Sequence, residues 1–90
     1  MNEQVHVFYS GRVQGVGFRF TSESIASELG IKGWVKNLPD GRVEIIAEAE
    51  KSALESFLSK INEAFSGYIR GEDTTWQEAL GKFNDFRVKF

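Results

Sequence analysis

The longest regular apolar pattern in the chain has the spacing of an amphipathic helix. Apolar side chains recur at positions i, i+3, i+4, i+7 and i+11, at Leu54, Phe57, Leu58, Ile61 and Phe65. Because this spacing places all of them on one side of an α-helix, the helix needs another layer to cover it. Ser52 and Glu55 have the spacing of a capping box, so we expect the helix to begin at Ser52.

Shorter segments on both sides of this helix have the two-residue period of β-strands. The first of them alternates Val5, Val7 and Tyr9 with His6 and Phe8. The fourth has the least regular pattern, because glycine and acidic residues interrupt it. We predict strands at residues 5–9, 31–36, 42–48, 68–76 and 86–90.

A further helix is predicted between the first two strands. Phe18, Ile25, Ala26 and Leu29 recur on one helical face, and Gly30 has the position of a left-handed C-terminal cap. The order strand, helix, strand, strand, helix, strand is that of the ferredoxin-like fold. We therefore expect an α+β, βαββαβ sandwich in which both helices pack on one face of an antiparallel sheet. That fold hosts many functions and selects none of them.

Composition excludes several classes of function. The formal net charge of −2 argues against nucleic-acid binding, because nucleic-acid binders usually carry a basic surplus. The absence of cysteine excludes disulfides, thiolate metal sites and a cysteine-phosphatase mechanism. The first residues lack the pattern of a signal peptide, and no apolar run has the length of a membrane span. We expect one domain over residues 1–90, a soluble cytoplasmic monomer that binds neither nucleic acid nor a membrane.

A glycine-rich loop separates the first strand from the first helix. Residues 11–19 read GRVQGVGFR, and no carboxylate occurs between Gln4 and Ser22. Backbone N–H groups can converge in such a loop, and the dipole of the helix that follows favours an anion. The loop lacks the Lys-Ser/Thr ending of a P-loop and the third glycine of a dinucleotide fingerprint. We therefore expect it to bind a small anion.

Arg19 is the residue of this loop that is best suited to bind a phosphate. Its planar guanidinium can donate to two phosphate oxygens at once, a geometry that lysine does not reproduce. From the loop alone, a solvated arginine beside a tight turn is an equally good interpretation. Asn37 also has a purely structural interpretation, as the residue that ends a strand before the turn at Pro39, Asp40 and Gly41.

Two motifs taken together resemble a known family. The segment GRVQGVGFR at residues 11–19 is followed, after one helix, by GWVKNLPDG at residues 33–41. This pair closely resembles the two signatures of the acylphosphatase family, and the resemblance extends over residues 5–65 and 86–90. It favours a functional interpretation of both the arginine and the asparagine.

The resemblance implies a hydrolase that cleaves the carboxyl-phosphate anhydride bond of a small-molecule acyl phosphate. By this likeness, Arg19 binds the phosphate with its side chain, and Asn37 positions a water that attacks phosphorus in line while the carboxylate leaves. The resemblance also implies phosphate binding by backbone N–H groups, which are those of Gln14, Gly15, Val16, Gly17 and Phe18. It implies no metal ion, no cofactor and no covalent enzyme intermediate.

The inventory of side chains fits this implication. An acyl phosphate has a good leaving group, so catalysis can rest on positioning and charge stabilisation. The chain has no cysteine nucleophile, and its single histidine, His6, cannot act as both nucleophile and acid. We expect His6 on a sheet face. We expect no metal site, because no cluster of potential metal ligands lies near the loop.

The chain departs from the family pattern at two places. Leu38 stands where some relatives have a hydroxyl residue, which removes a hydrogen bond that could orient Asn37, and residues 66–80 lack a Gly-Pro-Pro element. Two other functions stay open. One is a non-catalytic module that binds phosphate. The other is a carbamoyl-phosphate-processing domain of the kind found in hydrogenase maturation proteins, which we disfavour because the chain ends at Phe90.

Overall fold

The computed structural model describes residues 2–90 and contains five strands and two helices. In chain order these are β1 (Asn2–Gly11), α1 (Phe18–Leu29), β2 (Lys32–Asn37), β3 (Val43–Glu50), α2 (Lys51–Ala64), β4 (Ile69–Glu78) and β5 (Phe86–Lys89). The strands form one sheet in the order β4-β1-β3-β2-β5. Both helices pack against this sheet, so the expected ferredoxin-like fold is confirmed.

The sheet is mixed, whereas the sequence predicted an antiparallel one. Three strand pairs are antiparallel, but β5 runs parallel to β2. The reason lies in the segment between β4 and β5, residues 79–85. It starts where the Ala79 N–H donates to the Asn2 carbonyl, and it ends where the Gly33 N–H donates to the Asp85 carbonyl. The chain thus crosses one end of the sheet and must enter β5 in the direction of β2.

The core lies between the helices and one face of the sheet. The stripe on α2 is buried as its spacing predicts, and so is the expected face of β3 at Val43, Ile45 and Ala47. Phe18 contributes from α1, with its ring stacked near those of Tyr9 and Phe65 at centroid distances of 5.2 Å and 4.5 Å. Aromatic contacts therefore join the first turn of α1 to both β1 and the end of α2.

The predicted capping box at the start of α2 is wrong. The helix begins at Lys51, with Glu50 as its N-cap residue and no side-chain capping hydrogen bond. Pairing between β1 and β3 continues to the Asn2–Glu50 pair, so the chain passes from strand to helix without a loop. Ser52 and Glu55 are consequently exposed residues within the helix. The expected end of α1 is confirmed, since Gly30 is its left-handed C-cap.

Several strands differ in extent from the sequence prediction. β1 spans Asn2–Gly11 because it lies inside the sheet and pairs along its length with β3 and β4. β4 covers Ile69–Glu78 at an edge, where charged side chains remain exposed. This edge position explains its irregular pattern. No helix within residues 2–90 is both long and apolar enough to cross a membrane.

The crossing segment is anchored by a buried carboxylate. Glu48 of β3 accepts hydrogen bonds from the N–H groups of Leu80 at 2.7 Å and Gly81 at 3.1 Å, and from the Gln4 amide at 2.7 Å. Burial by itself raises the pKa of Glu48, but the hydrogen bonds from Leu80, Gln4 and Gly81 together hold that pKa below its usual range. The charged form therefore holds residues 79–85 on the end of the sheet.

Glu48→Gln should lower the free energy of unfolding at neutral pH by about 1–2 kcal/mol, because two backbone donors lose a charged acceptor. A lowered folded-state pKa stabilises the fold fully above the unfolded-state value of about 4.3, and the benefit disappears as the pH falls through the folded-state pKa. The difference between parent and variant should therefore shrink near pH 3. Urea denaturation at pH 7 and near pH 3 measures this difference in the free energy of unfolding.

The control for this comparison is Glu78→Gln, at an exposed carboxylate on β4. Its free energy of unfolding should stay close to that of the parent at both pH values. Equal destabilisation by the two substitutions would show that net charge matters and that the anchoring hydrogen bonds of Glu48 do not.

Candidate active site

The glycine-rich loop lies between the end of β1 and the first turn of α1. Gly15 and Gly17 have φ angles of 76° and 79°, in the left-handed region that side chains disfavour. Gly17 is also the N-cap of α1, which has neither a side-chain cap nor an acidic residue in its first turn. No side chain within residues 2–90 therefore compensates the first N–H groups of the helix or the positive end of its dipole.

Arg19 is held in place at this helix end from two sides. Its Nη1 donates to the carbonyl of Lys89, at the end of β5, over 3.2 Å. Its guanidinium carbon lies 4.7 Å from the centroid of the Phe90 ring, which is cation–π distance. Within residues 2–90 Arg19 forms no ion pair with a carboxylate. Its charge is therefore available to an anion, and this geometry favours the phosphate-binding interpretation over that of a solvated helix residue.

Asn37 is the last residue of β2, and its amide reaches the same region. The Oδ1 atom is buried and has no hydrogen-bond partner within the described part of the chain. A buried acceptor without a protein partner is uncommon, because leaving it unpaired costs about 1–3 kcal/mol. A turn residue does not require this arrangement. It is the arrangement expected of a side chain that contacts a bound molecule.

One cavity brings the loop and Asn37 together. Its volume is about 200 Å³, below the 300–1,000 Å³ typical of sites for drug-sized ligands, so it suits a small anion. The residues that line it are Val13, Gly15, Gly17, Phe18, Arg19, Phe20 and Asn37. Most of the residues that the sequence analysis selected therefore meet in one place. Val16, by contrast, packs against the core.

The Gln14 side chain makes a contact that the sequence did not predict. Its side-chain amide donates to the carbonyl of Leu38 at 2.8 Å and to that of Arg42 at 2.9 Å, both in the hairpin after Asn37. The expected role of Gln14 used only its backbone N–H group. No sequence period could reveal this contact, because it joins two loops that are distant along the chain. The side chain ties the glycine-rich loop to the hairpin.

The hairpin turn itself is fixed by local hydrogen bonds. The Leu38 N–H donates to the Arg42 carbonyl at 2.8 Å, and the Arg42 backbone N–H donates to the Asp40 carboxylate at 3.1 Å. That backbone hydrogen bond, followed by one from the Arg42 side chain, lowers the pKa of Asp40. The turn roles expected of residues 39–41 are consistent with this geometry. The backbone of Leu38 takes part in the turn, although its side chain has no hydroxyl group that could orient Asn37.

A second buried polar atom without a partner in the described part of the chain belongs to β1. The Tyr9 hydroxyl is buried and has no hydrogen-bond partner within residues 2–90. Tyr9 of β1 and Asn37 of β2 flank Val43 of β3 on its two sides in the sheet register. Burial, and secondarily the charge of Glu72, raises the pKa of Tyr9. The phenol therefore stays neutral and cannot act as a base.

The remaining charged groups near the loop have other partners. Arg12 lies 5.9 Å from the Tyr68 ring, and Arg42 pairs with Asp40 at 2.8 Å. His6 contacts Glu44 at 2.6 Å across the β1–β3 pair, on the sheet face opposite the core, as expected. Within residues 2–90, no three His, Cys, Asp or Glu side chains lie close enough to share a metal ion.

Comparison with known proteins shows which family the chain belongs to. The sequence model of the acylphosphatase family matches residues 5–88. The chain belongs to the acylphosphatase family. It is 41% identical over 89 residues to the acylphosphatase of Roseiflexus sp., covering 94% of this chain and 92% of that protein. It is 40% identical over 87 residues to the acylphosphatase of Methylococcus capsulatus, with coverage of 96% and 95%.

A solved structure of the same family has a similar fold over the whole chain. The crystal structure of acylphosphatase from Bacillus subtilis superimposes with a TM-score of 0.90 at 37% sequence identity. The match covers 98% of this chain and 99% of that one. The loop, the hairpin and the strands that carry them therefore belong to an arrangement shared along the whole domain.

Arg19→Lys should weaken the binding of inorganic phosphate by about tenfold or more, because lysine keeps the charge but loses the planar pair of donors. Arg12→Ala is the matched control, since Arg12 belongs to the same loop but does not line the cavity. Its effect on affinity should stay below about twofold. Isothermal titration calorimetry measures both affinities, and an unchanged affinity in Arg19→Lys would reduce Arg19 to a long-range charge, because lysine supplies the same charge.

Proposed function

We propose that the protein is an acylphosphatase that hydrolyses a small acyl phosphate to a carboxylate and inorganic phosphate. The observation that carries this proposal is the meeting of two different groups in one small cavity. Within residues 2–90, Arg19 supplies a cation without a carboxylate partner, and Asn37 supplies a buried acceptor without a protein partner. The first group suits a phosphoryl oxygen and the second suits the water that attacks it.

In this proposal the loop binds the phosphoryl group. The guanidinium of Arg19 donates to phosphoryl oxygens with the N–H groups that it does not use on Lys89. Backbone N–H groups of residues 14–18 and the positive end of the α1 dipole bind the remaining negative charge. These donors stand in place before the reaction, so little reorganisation is needed when charge moves in the transition state.

Asn37 then positions the nucleophile. Its Oδ1 accepts a hydrogen bond from a water molecule, whose oxygen attacks phosphorus in line with the bond to the acyl oxygen. A phosphorus–oxygen bond forms to water, and the bond to the acyl oxygen breaks with its electron pair leaving on the carboxylate. The proton of the water passes to a phosphoryl oxygen. The products are a carboxylate and dihydrogen phosphate, so atoms and charge balance.

This reaction requires no strong base, because a carboxylate is a good leaving group and the barrier falls mainly through positioning and charge stabilisation. His6 pairs with Glu44 away from the cavity, and the neutral phenol of Tyr9 is no base. We also propose that catalysis uses neither a metal ion nor a cofactor, and that residues 1–90 act as a single-domain cytoplasmic monomer.

The decisive experiment is the release of inorganic phosphate from benzoyl phosphate by the purified protein. We expect turnover at the same rate with and without a chelator such as EDTA. Loss of activity in chelator, with recovery on adding a divalent ion, would contradict the metal-independent mechanism. Phosphate binding without any turnover would identify a non-catalytic anion-binding module instead.

Asn37→Ala should reduce kcat by about 100-fold or more, because the attacking water loses its orientation in the transition state. Inhibition by inorganic phosphate should remain within about twofold of the parent, since the anion is bound by the loop. Asn62→Ala, at an exposed position on α2, is the matched control and should leave kcat unchanged. Near-normal turnover in folded Asn37→Ala would assign Asn37 to the turn alone.

A further inference from the structure

Two exposed aromatic rings lie together beside the cavity. Among residues 2–90, the large hydrophobic side chains that remain exposed are Phe20, Tyr68, Trp76, Leu80 and Phe90. Phe20 and Phe90 are exposed by 58% and 91%, and their ring centroids are 6.3 Å apart. We call these two side chains the aromatic rim.

The aromatic rim is continuous with the phosphate-binding residues. Phe20 directly follows Arg19 on α1 and itself lines the cavity. Phe90 faces the guanidinium of Arg19 at 4.7 Å. A group attached to a phosphate at Arg19 would therefore emerge next to these two rings.

Folding gives no reason for a phenylalanine at position 20. The buried side of α1 consists of Phe18, Ser22 and Ala26, and Phe20 is not part of the core cluster. An alanine there would favour the helix slightly more. Single exposed apolar residues are common, but a pair at the mouth of a cavity that binds a polar group indicates a second, apolar part of the same ligand.

Resting on the acylphosphatase function proposed above, we infer that the aromatic rim binds the acyl group and that Phe20 determines substrate preference. The preferred substrates carry a flat, apolar acyl group, which the Phe20 ring contacts while Arg19 holds the phosphate. An aromatic acyl group gains ring contacts and buries apolar area against Phe20. An acetyl group is too small to gain the same contact.

The test compares benzoyl phosphate with acetyl phosphate in the parent and in Phe20→Ala. We expect Phe20→Ala to lower kcat/KM for benzoyl phosphate about three- to tenfold, mainly through a higher KM, because the contact is made in ground and transition states alike. The value for acetyl phosphate should stay within about twofold. Phe20→Leu, which keeps apolar area without the ring, should fall between parent and Phe20→Ala for benzoyl phosphate.

Leu80→Ala is the matched control, because Leu80 is exposed by the same 58% and lies beside Glu48 at the opposite end of the sheet. Leu80→Ala should leave kcat/KM unchanged for both substrates. An unchanged benzoyl preference in Phe20→Ala, or an equal loss with both substrates, would overturn the inference and leave the proposed function standing. A parent that hydrolyses neither substrate would overturn both.

Discussion

The candidate site depends on one side-chain amide. Gln14 belongs to a loop without regular backbone hydrogen bonds, yet its amide donates to the carbonyls of Leu38 and Arg42 in the neighbouring hairpin. Those two hydrogen bonds connect the segment that carries Arg19 to the segment that carries Asn37. Because catalysis by positioning is sensitive to displacements near 1 Å, the relative placement of cation and amide rests on this connection. In the proposed mechanism, Gln14 therefore acts as a positioning residue.

The topology of the sheet determines which chain segments can meet at that connection. β1 and β2 flank β3 and both run antiparallel to it, so β1 and β2 terminate at the same end of the sheet. The loop after β1 and the hairpin after β2 therefore start side by side. Because β5 is parallel to β2, the Lys89 carbonyl and the Phe90 ring lie next to Arg19 at that end of the sheet. An antiparallel β5 would have placed them at the opposite end.

Local patterns in the sequence predicted what is local in the structure. The stripe on α2, the two-residue alternation of β1 and the cap at Gly30 each report on neighbours a few residues away. The fold followed from their order. Loop chemistry made Arg19 a candidate, but only the motif resemblance favoured a functional interpretation of Arg19 and Asn37. The capping box failed because its spacing says nothing about how far β3 extends in the sheet. The direction of β5 and the Gln14 hydrogen bonds were likewise set by contacts between distant segments.

The two ends of the sheet differ in whether their buried polar groups have hydrogen-bond partners within the protein. At the end crossed by residues 79–85, the Glu48 carboxylate accepts three hydrogen bonds and anchors the chain. At the other end, the buried Asn37 Oδ1 and Tyr9 hydroxyl atoms have no hydrogen-bond partner within residues 2–90, and the two residues flank Val43 in the sheet register. The helix end near Arg19 is also uncapped. Two kinds of group that cost stability when unpaired, the Asn37 Oδ1 atom and the first N–H groups of α1, thus lie around the same cavity, where the ligand of the proposed function would pair them.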